Sequence, residues 1–535
     1  MNYPQDTIAK AKTGTYIGMK NEKGTITFKG IRYGSFQGRW KPLADLPESD
    51  AVMEAFELGP ACPQTYLIPG AVYDAPFPRN GELFPYSEED CFSLGISTSS
   101  LNGKKPVFVF IHGGANTFGG CFDPTFRTEA FVDFNPDIVF VVINYRVSFL
   151  GHIYLGEIDP DGIYKESTNI RAMDQTQALK WVYENIAAFG GDPKNITIGG
   201  QSAGAFNEEI LMAYPPSRKY YKRAILQSCS VAIDQSMSRE KSAKITRKIM
   251  DAIGVTTLEE LVHAPVEDVL RQEHDLWSMN LTNDPGVIPN VFQTLCSEIP
   301  GESISGIDIM FGTTESEFEP PMTAETTPDE IRPMIHASVA NFLRGMPECT
   351  ARKFIESYMP DVTDIEAAIA YVKTISDEDV SAILDTYIEN DPNRAPIIAL
   401  TDCLNDFTWW QPSVILAKEL CKRNRLYMYQ WTWCKPNTYP NRAKHAIELG
   451  FMTGNTDLPN DPANGCHPQN ILNLAMQLWG NFIRTGVPDC ELLKAKPYTN
   501  ESPEIMRIDE TPEYYQDYRF KDLYSLQTVY RKKHQ

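Results

Sequence analysis

The chain has 535 residues, 42% of them apolar and 22% charged, the composition of a globular protein with room for a large core. Its 70 acidic side chains against 49 basic ones leave a formal net charge of −21, which excludes nucleic acid and anionic membrane surfaces as favoured partners. No apolar run approaches the ~18 residues that a membrane-spanning helix needs.

The opening Met1-Asn2-Tyr3-Pro4-Gln5-Asp6 carries neither a basic leader nor an apolar core segment. No secretory signal is therefore expected, and a cytoplasmic location with reduced thiols is the default, secretion being the alternative. The 11 cysteines show no Cys-x-x-Cys spacing and predict no metal site. Residues 13–60 hold short alternating runs such as Gly24-Thr25-Ile26-Thr27-Phe28-Lys29-Gly30, which predict β-hairpins. Val107-Phe108-Val109-Phe110-Ile111 and Ile138-Val139-Phe140-Val141-Val142-Ile143 are continuous apolar runs, as in central strands covered on both faces.

Between 171 and 189, Met173, Ala178, Trp181, Val182 and Ile186 recur at helical spacing. Ile196-Thr197-Ile198 then reads as a short buried strand, and Ala224-Ile225-Leu226-Gln227-Ser228 as the next. Strand–helix–strand alternation places the chain in the α/β class, with a mainly parallel sheet flanked by helices. Residues 236–295 and 322–400 read as helical stretches punctuated by proline and charge, laid over the sheet's carboxyl edge where ligands bind. Leu426-Tyr427-Met428-Tyr429-Gln430-Trp431-Thr432-Trp433 returns to strand character, and residues 471–485 form a last amphipathic helix.

Two segments carry chemistry. Gly200-Gln201-Ser202-Ala203-Gly204 follows a predicted strand and reads as a sharp strand-to-helix turn that projects the Ser202 hydroxyl above the sheet edge. Val107-Phe108-Val109-Phe110-Ile111 runs into His112-Gly113-Gly114-Ala115-Asn116-Thr117-Phe118-Gly119-Gly120. Residues without side chains at a strand's end let backbone N–H groups face a carbonyl oxygen, so Gly113 and Gly114 are candidate oxyanion donors, and Ala203, the residue after the nucleophile, is the third. Cleaving an ester with serine further requires a base and a carboxylate that orients it.

From about Gly18 to about Pro488 the chain resembles the type-B carboxylesterases, the α/β-hydrolase branch that includes cholinesterases and the non-catalytic neuroligins. The resemblance rests on Phe28-Lys29-Gly30-Ile31-Arg32-Tyr33-Gly34, Ser87-Glu88-Glu89-Asp90-Cys91-Phe92-Ser93-Leu94, Asn144-Tyr145-Arg146-Val147 and Asp174-Gln175-Thr176-Gln177-Ala178-Leu179-Lys180-Trp181-Val182. It also rests on Asn185-Ile186-Ala187-Ala188-Phe189-Gly190-Gly191-Asp192-Pro193, which leads into the serine turn. It implies one α/β-hydrolase domain over 1–535, with mainly helical lid-type insertions at 236–400. It further implies a serine carboxylic-ester hydrolase acting through an acyl-enzyme on small to medium esters. No cofactor and no metal are implied, the partner is a small-molecule ester, and the assembly is a monomer or homodimer.

Phe311-Gly312-Thr313-Thr314-Glu315-Ser316-Glu317-Phe318 resembles the family's acid block and implies Glu317, with Glu315 and Glu319 beside it. Ala443-Lys444-His445-Ala446-Ile447-Glu448-Leu449 resembles its histidine block and implies His445 as the base, His467 being the alternative. The implied triad is Ser202, Glu317 and His445. Departures are Gln201 for the usual glutamate, Gly199 for a bulky apolar residue, Ala115 for a third glycine and Phe318 for a glycine. Gln201 removes a buried charge and is expected to alter pH dependence. Cys62 and Cys91 match a disulfide pair of secreted relatives, and a retained but reduced pair is the expectation. A feruloyl-type or lipase-like esterase is the narrower alternative, and a neuroligin-like binding protein the non-enzymatic one. Phe118, Phe122, Trp409 and Trp410 are candidates for an aromatic pocket, core packing being the simpler reading.

Overall fold

A computed structural model describes residues 3–65, 84–229, 238–272, 291–456, 463, 465–516 and 520–534. Fourteen strands lie among them: β1 (Ile8–Ala11), β2 (Gly14–Ile17), β3 (Met19–Lys20), β4 (Ile26–Arg32), β5 (Val52–Glu54), β6 (Ser93–Thr98) and β7 (Lys105–Ile111). The remainder are β8 (Val139–Ile143), β9 (Gly191–Gln201), β10 (Arg223–Gln227), β11 (Asp308–Thr314), β12 (Arg425–Trp431), β13 (Ile505–Ile508) and β14 (Glu513–Tyr515). Strands β1, β2 and β5 make a small separate sheet, and the other 11 form one sheet in the order β14-β13-β12-β11-β10-β9-β7-β8-β6-β4-β3.

Its centre, from β13 through β8, is parallel, and antiparallel pairs close both margins. This is the arrangement that the apolar runs require. Val107, Phe108, Val109, Phe110 and Ile111 are fully buried, because helices cover both faces of the sheet. The helix Ile170–Asn185 realises the helical spacing read at 171–189, and the helix Gln469–Thr485 the amphipathic segment at 471–485. No helix among the described residues is long and apolar enough to cross a membrane.

Three differences from the sequence reading are physical. The strand expected at 196–198 extends over Gly191–Gln201, because Gly199 and Gly200 continue the ladder beside Phe110 and Ile111. A Cβ at Gly199 would meet Phe108 Cε2 at 2.2 Å, so the phenyl ring fills the place of a bulky side chain. Between the helical stretches expected at 236–295 and 322–400 the sheet gains a strand that the sequence reading did not name. That strand is Asp308–Thr314, central in the sheet, and the helical run that follows continues beyond 400 to Leu420. Residues 236–237 and 273–290 of the first stretch lie outside the described residues.

The helix Ala203–Ala213, which leaves the serine turn, is buried along its whole length, including Glu208 and Glu209. Among the described residues neither oxygen of Glu208 meets a hydrogen-bond partner, and Glu209 accepts only from the Cys229 thiol at 3.0 Å. Burial raises both carboxyls, Glu208 well above the usual range and Glu209 to about 8. Such groups bind more protons folded than unfolded, so stability falls as pH rises from their ordinary value of 4.5 to about 8. The Glu208→Gln/Glu209→Gln double variant should lose less melting temperature than the parent between pH 5 and pH 8, by a few degrees. Parallel melting curves for the two proteins across that range would refute this.

Candidate active site

The parallel register brings the carboxyl ends of β7, β9 and β11 to one edge, and three functional loops start there. Ser202 leaves β9 with φ 57° and ψ −127°, a conformation that costs a non-glycine residue ~1–3 kcal/mol. The surroundings impose it. A Cβ at Gly204 would lie 2.1 Å from the Ile111 carbonyl oxygen, and one at Gly200 would lie 2.6 Å from the Gly204 carbonyl carbon. The Ser202 N–H donates to the Gln227 carbonyl at 2.8 Å, fixing the turn to β10.

Beyond β7, Gly114 takes φ +109°, where a Cβ would meet the Phe118 carbonyl oxygen at 2.2 Å. Ala115 and Asn116 are also left-handed, at φ 54° and 60°. Gln64 clamps this loop, its amide donating to Gly119 O at 3.0 Å while its oxygen accepts the Gly119 N–H at 2.8 Å. Tyr145 donates to His112 O at 2.6 Å and stacks on the His112 ring, 4.3 Å between centroids. Burial pushes the His112 imidazole down to about 4, so it stays neutral and structural. Among the described residues the N–H groups of Gly113, Gly114 and Ala203 donate to no protein group.

The loop after β11 carries Glu317, whose Oε1 accepts the Thr314 N–H at 2.7 Å and whose Oε2 accepts His445 Nδ1 at 2.5 Å. Its neighbours face elsewhere. Glu315 pairs with Arg442 at 3.6 Å, and Glu319 accepts from Ser316 at 2.7 Å and pairs with Lys444 at 3.7 Å. His467 packs on Phe451, 4.8 Å between centroids, and lies outside the cavity lining.

A cavity of about 390 Å³ is lined by Gly113, Gly114, Gln201, Ser202, Ala203, Glu317 and His445 together with Phe118, Phe126, Phe206, Phe318, Trp409 and Leu449. Of the aromatic candidates, Phe118 and Trp409 belong to it. Phe122 instead stacks on Phe84 at 4.7 Å, and Trp410 is buried outside the lining. Phe318 is half exposed, and Asn405 holds its backbone by accepting its N–H at 2.8 Å and donating to its carbonyl at 2.9 Å. Ser202 and His445 share the cavity but make no hydrogen bond to each other. His445 Nε2 lies instead 3.1 Å from Gln201 Nε2.

Burial pushes the His445 imidazole down, but the Glu317 hydrogen bond and the charges of Glu317 and Glu448 outweigh it, so the net shift is upward. Glu448 is buried three residues further on, at the start of the helix Glu448–Thr453. Burial first, then the Glu317 charge, push its carboxyl up to about 7. Gln227 Nε2 donates to it at 3.3 Å, and Gln227 Oε1 accepts from Trp479 at 3.0 Å. Sequence reasoning quoted Glu448 only as part of the histidine block. It missed Asn405 and Gln64 outright, since each acts on a loop more than 50 residues away. Among the described residues no group of three or more His, Cys, Asp or Glu could hold a metal ion. Cys62 and Cys91 are both free thiols and buried.

The chain matches the Carboxylesterase family over residues 5–526. It is 26% identical to the para-nitrobenzyl esterase of Bacillus subtilis (strain 168) over 507 residues, covering 91% of this chain and 92% of that protein. It is 28% identical to the phenmedipham hydrolase of Pseudarthrobacter oxydans over 538 residues, covering 95% and 96%. A solved structure described as a thermophilic PNB esterase superposes with a TM-score of 0.77 at 25% identity, covering 98% of this chain and 100% of the other.

The cramped turn at Gly114 yields a direct test. Gly114→Ala should lower ester turnover ~10²–10³-fold and, because its Cβ meets the Phe118 carbonyl oxygen, lower the melting temperature by a few degrees while the protein still folds. Turnover within threefold of the parent would show that this backbone does not serve the reaction.

Proposed function

The chain belongs to the carboxylesterase family and is a carboxylic-ester hydrolase of the α/β-hydrolase fold, and on that footing we propose that Ser202, His445 and Glu317 carry its reaction. The observation that supports this most is the 2.5 Å bond between Glu317 Oε2 and His445 Nδ1 in the cavity that Ser202 lines. With Nδ1 hydrogen-bonded to a carboxylate, Nε2 is the basic nitrogen of the neutral ring. His445 Nε2 takes the Ser202 proton as Oγ attacks the ester carbonyl, and the oxyanion settles against the N–H groups of Gly113, Gly114 and Ala203. The strain at Ser202 keeps its hydroxyl presented without further reorganisation. As the tetrahedral adduct collapses, the imidazolium gives its proton to the leaving alcohol oxygen and the acyl group stays on Ser202. Water, activated by the same nitrogen, then attacks the acyl-enzyme, releasing a carboxylic acid and restoring the hydroxyl.

The cavity supports small to medium esters with an apolar or aromatic portion, since its wall is largely Phe118, Phe126, Phe206, Phe318, Trp409 and Leu449. Between 239 and 420 the chain contributes Glu317, Phe318 and Trp409 to its lining. Trp409, just before the helix Gln411–Leu420, sets its ring 5.3 Å from the His445 ring.

Ser202→Ala should lose ester turnover by a factor on the order of 10⁴ or more, together with the burst of p-nitrophenol that an acyl-enzyme gives. Glu317→Gln should cost ~10²–10⁴-fold, whereas Glu315→Gln and Glu319→Gln should stay near the parent. Equal losses in the three glutamine variants would remove Glu317 from its role. Phe318→Ala should raise KM for p-nitrophenyl benzoate roughly tenfold, the worth of one apolar contact, while leaving p-nitrophenyl acetate unchanged. An equal effect on both esters would mean that the ring does not touch the substrate.

A further inference from the structure

Gln201 is the last residue of β9, is almost fully buried, and sends its side chain toward the base rather than into the sheet. Its Nε2 lies 3.1 Å from His445 Nε2, on the side of the imidazole opposite Glu317. The chemistry of this contact is fixed by the other end of the ring. Nδ1 carries the proton that bonds Glu317, so Nε2 of the neutral ring bears only a lone pair, and the Gln201 amide must be the donor. The lone pair engaged by Gln201 is the one that Ser202 needs, and the serine hydroxyl makes no bond to it in this structure.

We propose that Gln201 is a positioning residue that holds the resting imidazole by its Nε2 lone pair, so that Ser202 must displace the Gln201 amide before His445 can act as its base. The inference rests on reading His445 as that base, and it concerns how the base is held and released. Space around the amide supports it. A Cβ on Gly113 would lie 3.3 Å from Gln201 Oε1 and 2.7 Å from the Gln201 carbonyl oxygen, so the first oxyanion glycine and the amide share one tight corner. A substrate carbonyl entering beside Gly113 arrives next to the amide, where the exchange has to occur.

The hydrogen bond has a sign. It is made to the neutral ring, and protonation would set an Nε2 hydrogen against the amide hydrogens, two donors facing each other until the amide turns. It therefore favours the neutral, catalytically competent base. The titratable groups facing the ring are Glu317 at Nδ1 and Glu448 at the start of the next helix, both of which favour the imidazolium, while the adjacent Lys444 turns away to Glu319. Gln201 opposes these two carboxyls and extends activity toward acid pH. A glutamate in its place would add a third carboxyl.

The test is the acidic limb of kcat/KM for p-nitrophenyl acetate in the parent, in Gln201→Met, which keeps the side chain's length but has no donor, and in Gln201→Glu. The limb should move to higher pH in both variants, by about one unit or more in Gln201→Glu and by less in Gln201→Met. Partial misfolding lowers the amplitude of such a curve without moving its midpoint, and Gln201→Met, adding no buried charge, carries the test if Gln201→Glu does not fold. A Gln201→Met limb coincident with the parent's, or displaced to lower pH, overturns the proposal. Burst measurements on these proteins, with Ser202→Ala as an added control, separate this from failure of the triad itself. A p-nitrophenol burst retained in Ser202→Ala would sink the reading of Ser202, whereas a normal burst with an unmoved limb would sink only the role of Gln201.

Discussion

The close approach of backbone to backbone at the ends of β7 and β9 is the constraint from which the site follows. Ile111 pairs with Gly200, and the chain leaving β9 passes so near the chain leaving β7 that Gly204 has no room for a single carbon atom. That contact forces Ser202 into its strained conformation and turns the helix Ala203–Ala213 under it. It also sets the Gly113–Gly114 loop beside the serine. One steric fact thus presents the hydroxyl and aligns the N–H groups next to it. The strain of ~1–3 kcal/mol is small beside the burial of the surrounding sheet and persists because the register leaves no alternative.

Buried charge is the second theme. Glu208, Glu209, Glu317 and Glu448 all lie in or just behind the site, in a chain that already carries a net charge of −21. They are not equivalent. Glu317 is held by a backbone N–H and by His445, whereas Glu448 and Glu209 are driven upward by burial, to about 7 and about 8. The imidazole thus meets a hydrogen-bonded Glu317, while burial makes the other carboxyls harder to ionise. The uncharged Gln201 fits this pattern, because a glutamate there would add a fifth carboxyl to these four.

The parts legible in the sequence are those whose chemistry is local. Val107, Phe108 and Val109 announce a doubly covered strand by themselves, and Gly200, Ser202 and Gly204 need no distant residue to mark a turn. Resemblance supplied the acid and the histidine. What stayed hidden depends on contacts across the fold. Asp308–Thr314 is a central strand that does not stand out because Gly312 and two threonines interrupt its apolar run, and Gly312 is there because the Tyr429 ring occupies the space of its side chain. The place of Gly199 is likewise explained only by Phe108 on the neighbouring strand. The clamps made by Gln64 and Asn405 join loops remote in sequence, and nothing in either local segment announces them.

The convergence of Ser202 and His445 on one cavity is tested most directly by covalent capture. The protein would be treated with a fluorophosphonate, the adduct located by peptide mass spectrometry, and the experiment repeated on His445→Ala. A single adduct on Ser202, formed at least a hundredfold more slowly without the imidazole, is the expected result. An adduct on a different side chain, or labelling of Ser202 at the same rate in both proteins, would contradict it.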